Sequence, residues 1–447
     1  MSTIEKHDMT QGKILLPLVS FTIPLVLGNL FQLTYNAADS VIVGKYVGEQ
    51  ALAAVGTSTP IMNIAILLIS GMCMGASVLM SSQYGAKDYD TLSRQISTTM
   101  LAGCGFSVVF SLLMLLLANP VLRLIRVPET AIPEAAAYLR IIFMGLIFTF
   151  MYNFLANTMR ALGDSKTPLY FLVTSAFLNI FGDLFFVVVL RWGVAGSAIA
   201  TVCSEGLCCL LCGIYIKKKI PLLCLGKKWW VFDKSLLGKT VSYGSTSAMQ
   251  QVCLQLGKLI IQSVVNTQGV AVMAAFTAVN RVDDFAYTPQ QNIGHAMTTF
   301  LAQNKGAGHK ERMKKGFQTG LLIELVYSVG LFCVIWGLAP QIMTLFAEDG
   351  DAQVVSLGIS YLHLISWMYI LPGLTNGVQG FFRGIGDLKV TLYSTFMNMF
   401  GRVVAVFVMI RLLQMEFASL AWANMVGWIV MLLFEVCLLY TSDAADD

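Results

Sequence analysis

The chain has 447 residues, of which 56% are hydrophobic and 12% charged, with a formal net charge of +4. Soluble domains carry about 25% charged residues, so this composition excludes a water-soluble globule and places the chain in a bilayer. The basic excess is small, and its clusters read as membrane topology and lipid headgroup contact rather than as a nucleic-acid surface.

Apolar runs of about 20 residues or more recur about 12 times, each long enough to cross a hydrocarbon core of roughly 30 Å. The first six predicted spans cover about 14–42, 51–80, 94–119, 133–158, 168–190 and 194–216. The second six cover about 237–266, 271–301, 316–346, 354–381, 389–411 and 416–440. The fold class is therefore an all-α integral membrane protein. The first apolar run is too long for a cleavable signal peptide and serves as the first anchor.

Span one carries Pro24, where a helix can bend, then Gln32, Tyr35, Asn36 and finally Asp39. A straight helix places Asp39 near the outer boundary. Met62 of span two and Tyr152 and Asn153 of span four join Gln32, Tyr35 and Asn36 as candidate cavity-lining residues. Between spans four and five runs Arg160-Ala-Leu-Gly163-Asp164-Ser-Lys166.

Span five holds Asn179 and Asp183, four apart and so on one helix face. Counting from Pro168 at about 1.5 Å per residue, Asp183 lies roughly 22 Å across. Thr201 of span six, entered from the other side, lies about 10 Å down, so the depths agree. A carboxylate within the hydrocarbon costs roughly 3 kcal/mol or more and usually faces a cavity and serves transport. Together Asp39, Asn179, Asp183 and Thr201 offer only oxygens, which suit a hard monovalent cation such as Na+ or an exchangeable proton. Most cysteines fall within spans and read as small buried apolar residues, and Cys208-Cys209-Leu-Leu-Cys212 has no His or carboxylate beside it to make a metal site.

The halves are predicted to divide in a basic linker over 217–236, giving domains at 1–216 and 237–440. Span seven carries Gln250, Gln251, Gln255 and Lys258, and span eight carries Arg281, Asp283 and Asp284 about halfway across. Asp283 and Asp284 read as carboxylates facing a cationic substrate, with Arg281 or Lys258 holding a neighbour, as an internal ion network, or as a second coupling site. His295 and His363 read as helix-packing hydrogen bonders. Residues 441–447 form a polar, acidic tail that reads as a truncated or appended end.

The sequence repeats itself. Arg383-Gly-Ile-Gly386-Asp387-Leu-Lys389 echoes the Arg160 loop, Asn398-Met-Phe-Gly401 echoes Asn179-Ile-Phe-Gly182, and Gln303 to Gly308 echoes Gln83 to Lys87. The stretch from Tyr138 to Lys166 matches Tyr361 to Lys389 at constant offset, Leu139 on Leu362 and Asn153 on Asn376. Six spans per half is even, so both halves start on the same side, related by an axis along the membrane normal. If the N-terminus is cytoplasmic, about 20 of the 29 Lys and Arg fall on the inside and only about 5 outside, which sets that orientation. At the position matching Asp183 stands Arg402, so the second half does not copy the first half's polar site.

This ordered, duplicated set of motifs resembles the multidrug and toxic compound extrusion (MATE) family over essentially the whole chain. The resemblance implies two six-helix bundles, an N-lobe and a C-lobe, and a cavity open alternately to either side. It assigns Asp39, Asn179, Asp183 and Thr201 to an N-lobe cation site and Pro24 to the bend of the first helix. The function it implies is antiport of amphipathic cationic organic compounds against Na+ or H+, by a monomer in the cytoplasmic membrane, with small organic substrates and the bilayer as partners and no cofactor beyond the coupling ion. A flippase for lipid-linked precursors is the alternative, but it calls for a cationic cavity. An enzyme would need clustered catalytic side chains or a sizeable soluble loop, and neither is evident.

Overall fold

A computed structural model describes residues 8–125, 127–129, 131–220, 230–346, 352–413, 417 and 419–443. Among them every regular element is a helix: α1 (Leu15–Tyr46), α2 (Glu49–Gly85), α3 (Tyr89–Leu124), α4 (Ile132–Met144), α5 (Leu146–Ala161), α6 (Lys166–Asp183) and α7 (Gly193–Lys219), then α8 (Lys234–Val265), α9 (Val270–Gly306), α10 (Lys310–Phe346), α11 (Ala352–Ser366), α12 (Ile370–Ile385), α13 (Leu388–Val406) and α14 (Ser419–Asp443).

These helices make the twelve spans expected, with two of them broken. The fourth predicted span is α4 and α5, bent by 47° at Gly145. There α7 presses close, since a Cβ on Gly145 would fall 2.5 Å from Val202 Cγ2. The tenth is α11 and α12, joined by a single 3-10 turn at Trp367–Tyr369. Pro372 explains that break, because it has no N–H to offer the carbonyl four residues back. Nine helices, or ten spans when the bent pair is counted, are apolar enough by length and composition to cross a membrane, among the described residues. The polar α8 and α9 fall outside that set, yet at 32 and 37 residues they are long enough to span.

By packing, the chain divides into a first unit, Met1–Met9 with Ile23–Ala248, and a second, Thr10–Thr22 with Met249–Asp447. The division therefore falls inside α8 rather than within 217–236. The reason lies in small residues: a Cβ on Gly71 of α2 would meet the Ala248 Cα at 2.7 Å, and one on Gly75 the Tyr243 carbonyl oxygen at 2.4 Å. A glycine pair four apart lets two backbones approach in a way no larger residue allows. Gln95 of α3 adds a 2.5 Å hydrogen bond to Thr240. Of the predicted linker, residues 221–229 lie outside the described residues, and of the predicted tail so do 444–447.

Each unit has its own core. In the first, Ile69 and Met80 of α2 pack with Leu92 of α3, Phe143 of α4 and Phe154 of α5. In the second, Val279 of α9, Met343 of α10, Ile365 of α11 and Ala421 of α14 do the same. The repeat read from sequence holds in detail. Gly163 and Gly386 both adopt left-handed backbone, at φ +87° and +88°, which is why glycine stands there in both copies of the Arg-x-x-Gly-Asp-x-Lys loop. Asp164 then accepts from the amides of Lys166 and Thr167, each at 3.0 Å, and starts α6. Both α6 and α13 run into six-residue π-helical turns, Leu184–Val189 and Phe407–Leu412.

Candidate functional site

In the first unit, polar side chains from α1, α6 and α7 converge. Ser197 Oγ of α7 donates to Asp39 Oδ1 of α1 at 2.7 Å. One turn on, Thr201 Oγ1 donates to the Ser197 carbonyl at 3.1 Å and accepts from Asn179 Nδ2 of α6 at 3.2 Å. Asp183 is fully buried at the point where α6 passes into its π turn, and it interacts side chain to side chain with Asp39. π turns recur at functional sites because the widened turn leaves backbone and side chains aimed differently from an α-helix. The structure thus brings Asp39, Asn179, Asp183 and Thr201 together as expected.

Among the described residues this cluster has no positively charged partner. Neither oxygen of Asp183, nor Asn179 Oδ1, has a hydrogen-bond donor. Buried carboxylates are otherwise paired or hydrogen-bonded, because an unpaired one loses hydration without compensation. The unfilled acceptors fit a small cation or a shared proton, the chemistry expected of an all-oxygen set.

Further side chains border the cluster. Tyr138 of α4 lies within reach of the charges of Asp39 and Asp183, and its hydroxyl contacts Met62 Sδ at 3.7 Å. Tyr35 lies beside Gln32 and near Glu205 and Asp39. Asn153 Nδ2 turns back onto the Thr149 carbonyl at 2.9 Å, whereas Thr149 Oγ1 donates to Glu205 Oε2 at 2.5 Å. Tyr152 of α5 is half-buried, within reach of the charge of Arg160. Asn36 lies in α1, but its side chain is outside the described residues. α1 is helical without interruption through Pro24.

Glu205 and Ser197 were missed in the sequence, although Ser197, Thr201 and Glu205 are spaced four apart and so form one stripe along α7.

The second unit is polar in a different way. Asp283 is buried and accepts from the hydroxyls of Tyr369 and Tyr361, the latter at 3.4 Å, and Asn424 Nδ2 holds Tyr361 at 2.8 Å. Arg402 is near enough for its charge to act on Asp283. Asp283 is thus enclosed in a network of hydroxyls with Arg402 nearby. Asp284 instead faces outward and pairs with Lys258 at 3.5 Å. His295 contacts Arg383 through Nδ1 at 3.1 Å and His363 stacks near Trp336 at 4.7 Å, both packing roles. Two further carboxylates inside the second half's spans, Glu324 of α10 and Glu435 of α14, are fully buried and were missed in the sequence. Among the described residues no group of His, Cys, Asp and Glu could hold a metal ion in the usual three-ligand manner, and the described cysteines are free.

Duplicated six-span units with unpaired carboxylates inside the membrane are the make-up of a membrane transporter. The MatE family model matches residues 24–185 and 247–409, one match in each half. The probable multidrug resistance protein YpnP of Bacillus subtilis is 32% identical over 392 residues, which cover 87% of this chain and 86% of that protein. The probable multidrug resistance protein NorM of Thermotoga maritima is 23% identical over 423 residues, 92% of this chain and 89% of that one. A crystal structure of MATE in the bent conformation matches in fold with a TM-score of 0.91 at 21% identity, covering 100% of this chain and 99% of that one. The chain belongs to the MATE family and is a multi-pass membrane transporter.

Proposed function

We propose that this transporter exports amphipathic organic cations in exchange for Na+ or H+, with Asp39 and Asp183 as the ion-carrying pair. The observation that carries the reading is the fully buried Asp183, both oxygens without a donor, beside an Asp39 whose Oδ1 is already oriented by Ser197. Two neighbouring carboxylates oppose each other's charge, so a cation or proton taken up between them is held strongly. Asn179 and Thr201 complete the oxygen set. Uptake of the ion removes the negative charge that attracts an organic cation, and Glu205, Tyr35, Gln32, Met62 and Asn153 supply the mixed polar and greasy surface such a cargo needs. Ion and cargo then weaken each other's binding by one mutual coupling energy. The chain works as a monomer in the cytoplasmic membrane with its N-terminus inside.

The relatives named as multidrug resistance proteins support this reading, as does the acidic rather than basic character of the first unit's cluster. The test is dye efflux from proteoliposomes under imposed Na+ or pH gradients. The wild type is expected to move dye against its gradient with one of the two, and Asp39→Asn and Asp183→Asn to lose that drive while remaining folded. Efflux of equal extent in both variants would refute the assignment.

A further inference from the structure

The second unit buries a further group of oxygen acceptors without partners. Glu324 of α10 is fully buried, and neither of its oxygens has a donor. Gln290 of α9 is also fully buried, with its Oε1 unpartnered. Its Nε2 is spent on Ser328 Oγ at 3.0 Å and on the Tyr369 carbonyl at 2.8 Å. Ser328 Oγ, which accepts the first of these bonds, can donate to the Glu324 carbonyl at 2.7 Å or the Tyr369 carbonyl at 3.3 Å and keeps one lone pair to offer. Every unpartnered atom in the group is therefore an oxygen acceptor.

Gly373 of α12 keeps this place open. A Cβ there would fall 2.7 Å from Ser328 Oγ, 3.1 Å from Gln290 Nε2 and 3.5 Å from Glu324 Oε2. The repeat shows how the same place looks when it is closed. Tyr89 and Lys310 open α3 and α10, and in that register Glu324 falls on Gly103 and Gln290 on Ile69. The register that pairs Arg160 with Arg383 puts Gly373 on Phe150. In the first unit the Phe150 ring occupies the space at Gly103, where a Cβ would fall 1.9 Å from its Cζ. In the second unit glycine and aromatic are exchanged for carboxylate and glycine, and polar side chains stand where the first unit has an aromatic ring.

We propose that Glu324, with Gln290 Oε1, Ser328 Oγ and the Tyr369 carbonyl, binds a small monovalent metal cation, Na+ or one of its size. One carboxylate among neutral oxygens balances a single positive charge, and a hard cation accepts several oxygens at once. A proton would satisfy one acceptor and leave the others bare. This site is separate from the Asp39 and Asp183 pair, and its test reads binding rather than transport.

The experiment measures 22Na+ bound per chain by equilibrium dialysis of the purified full chain in detergent. Glu324→Gln is expected to bind one Na+ fewer than wild type at saturation, both alone and in an Asp183→Asn background. Gly373→Ala leaves the carboxylate in place but sets a methyl against the group, and is expected to weaken that Na+ at least about tenfold. If Glu324→Gln elutes as an aggregate, Gly373→Ala and Ser328→Ala carry the test, the latter with a weakening of about threefold. Unchanged Na+ stoichiometry and affinity in the folded variants would overturn the proposal. So would an infrared carboxylic-acid band that Glu324→Gln removes and saturating Na+ leaves untouched, since that marks a resident proton.

Discussion

Asp183→Asn separates an ion carrier from a residue that merely packs. The side chain is fully buried and accepts no hydrogen bond, so the native carboxylate stands unsatisfied when no ion is bound. A buried unsatisfied polar group costs about 1–3 kcal/mol, and more when charged. The amide has nearly the same shape, leaves no cavity and ends the charge opposition with Asp39. Without ion, the variant is therefore expected to be at least as stable as the wild type. In a Glu324→Gln background, which removes the second proposed Na+ site, only the chain that keeps Asp183 should gain stability from the ion, by about 2.7 kcal/mol at 100 times the dissociation constant. Transport gives the second readout. One-for-one exchange of a monovalent organic cation against one ion moves no net charge, so a tenfold ion gradient supports a substrate ratio of about tenfold, or about 1.4 kcal/mol. In Asp183→Asn that ratio should fall to one. Thermal unfolding in NaCl against choline chloride and across pH, together with dye accumulation in proteoliposomes, measures both quantities. A variant that keeps the ion-dependent stabilisation and the tenfold accumulation would refute the reasoning.

Ser197→Ala removes the hydroxyl held 2.7 Å from Asp39 Oδ1. A hydrogen bond to a charged group contributes about 1.5–3 kcal/mol, so the ion-empty state loses stability and half-saturating ion concentration should fall about tenfold, with slower turnover, in ion-titrated efflux. Glu205→Gln should weaken binding of cationic dyes about tenfold and leave a neutral analogue unchanged in fluorescence titrations, as expected for loss of one charge in a sheltered site. Gly75→Ala forces a methyl against the Tyr243 carbonyl oxygen, and the α2–α8 contact should lose about 1–3 kcal/mol in thermal unfolding. Asp88→Ala removes the α3 cap, where Asp88 Oδ1 accepts from the Thr91 amide at 3.1 Å, at a cost of about 1 kcal/mol. The Thr91 hydroxyl and amide hold the Asp88 carboxyl below the usual range, so its contribution is full above about pH 3.9 and is lost on acidification. The stability gap between Asp88→Ala and wild type should close correspondingly in acid.

Much of the fold was legible because hydrophobic length and repeated loops are properties of the chain itself. The twelve spans, the paired Gly163 and Gly386 turns and the grouping of Asn179 with Asp183 all follow from spacing. The breaks were not legible in the same way. The fourth span bends at Gly145, where Val202 of another helix stands close, and no local signal carries that neighbour. The unit division inside α8 likewise depends on which helix the glycines of α2 face. Ser197 and Glu205 were within reach of the sequence, since their spacing from Thr201 is helical, but an isolated serine or glutamate carries no mark until α1 and α5 are placed beside it.

Comparison of the two units explains why Asp183 lacks a counter-charge that the matching place in the second unit has. In the register that pairs Gly48 with Gly269 and Gly85 with Gly306, Met62 falls on Asp283, and in that of the Asn-x-Phe-Gly motifs Asp183 falls on Arg402. Tyr138 and Tyr361 are partners in the repeat, and each reaches the same neighbour: the first contacts Met62, the second Asp283. Where the first unit sets a thioether and a carboxylate, the second sets a carboxylate and a guanidinium. The second unit therefore supplies its own counter-charge at this place and has no call on an external cation there. Asn398 follows suit, since its amide lies 3.4 Å from Met431 Sδ, whereas Asn179 joins the oxygen of Thr201. Among the described residues of the first unit nothing basic takes the place of Arg402, so under the proposed exchange the counter-charge for Asp39 and Asp183 is the coupling ion itself.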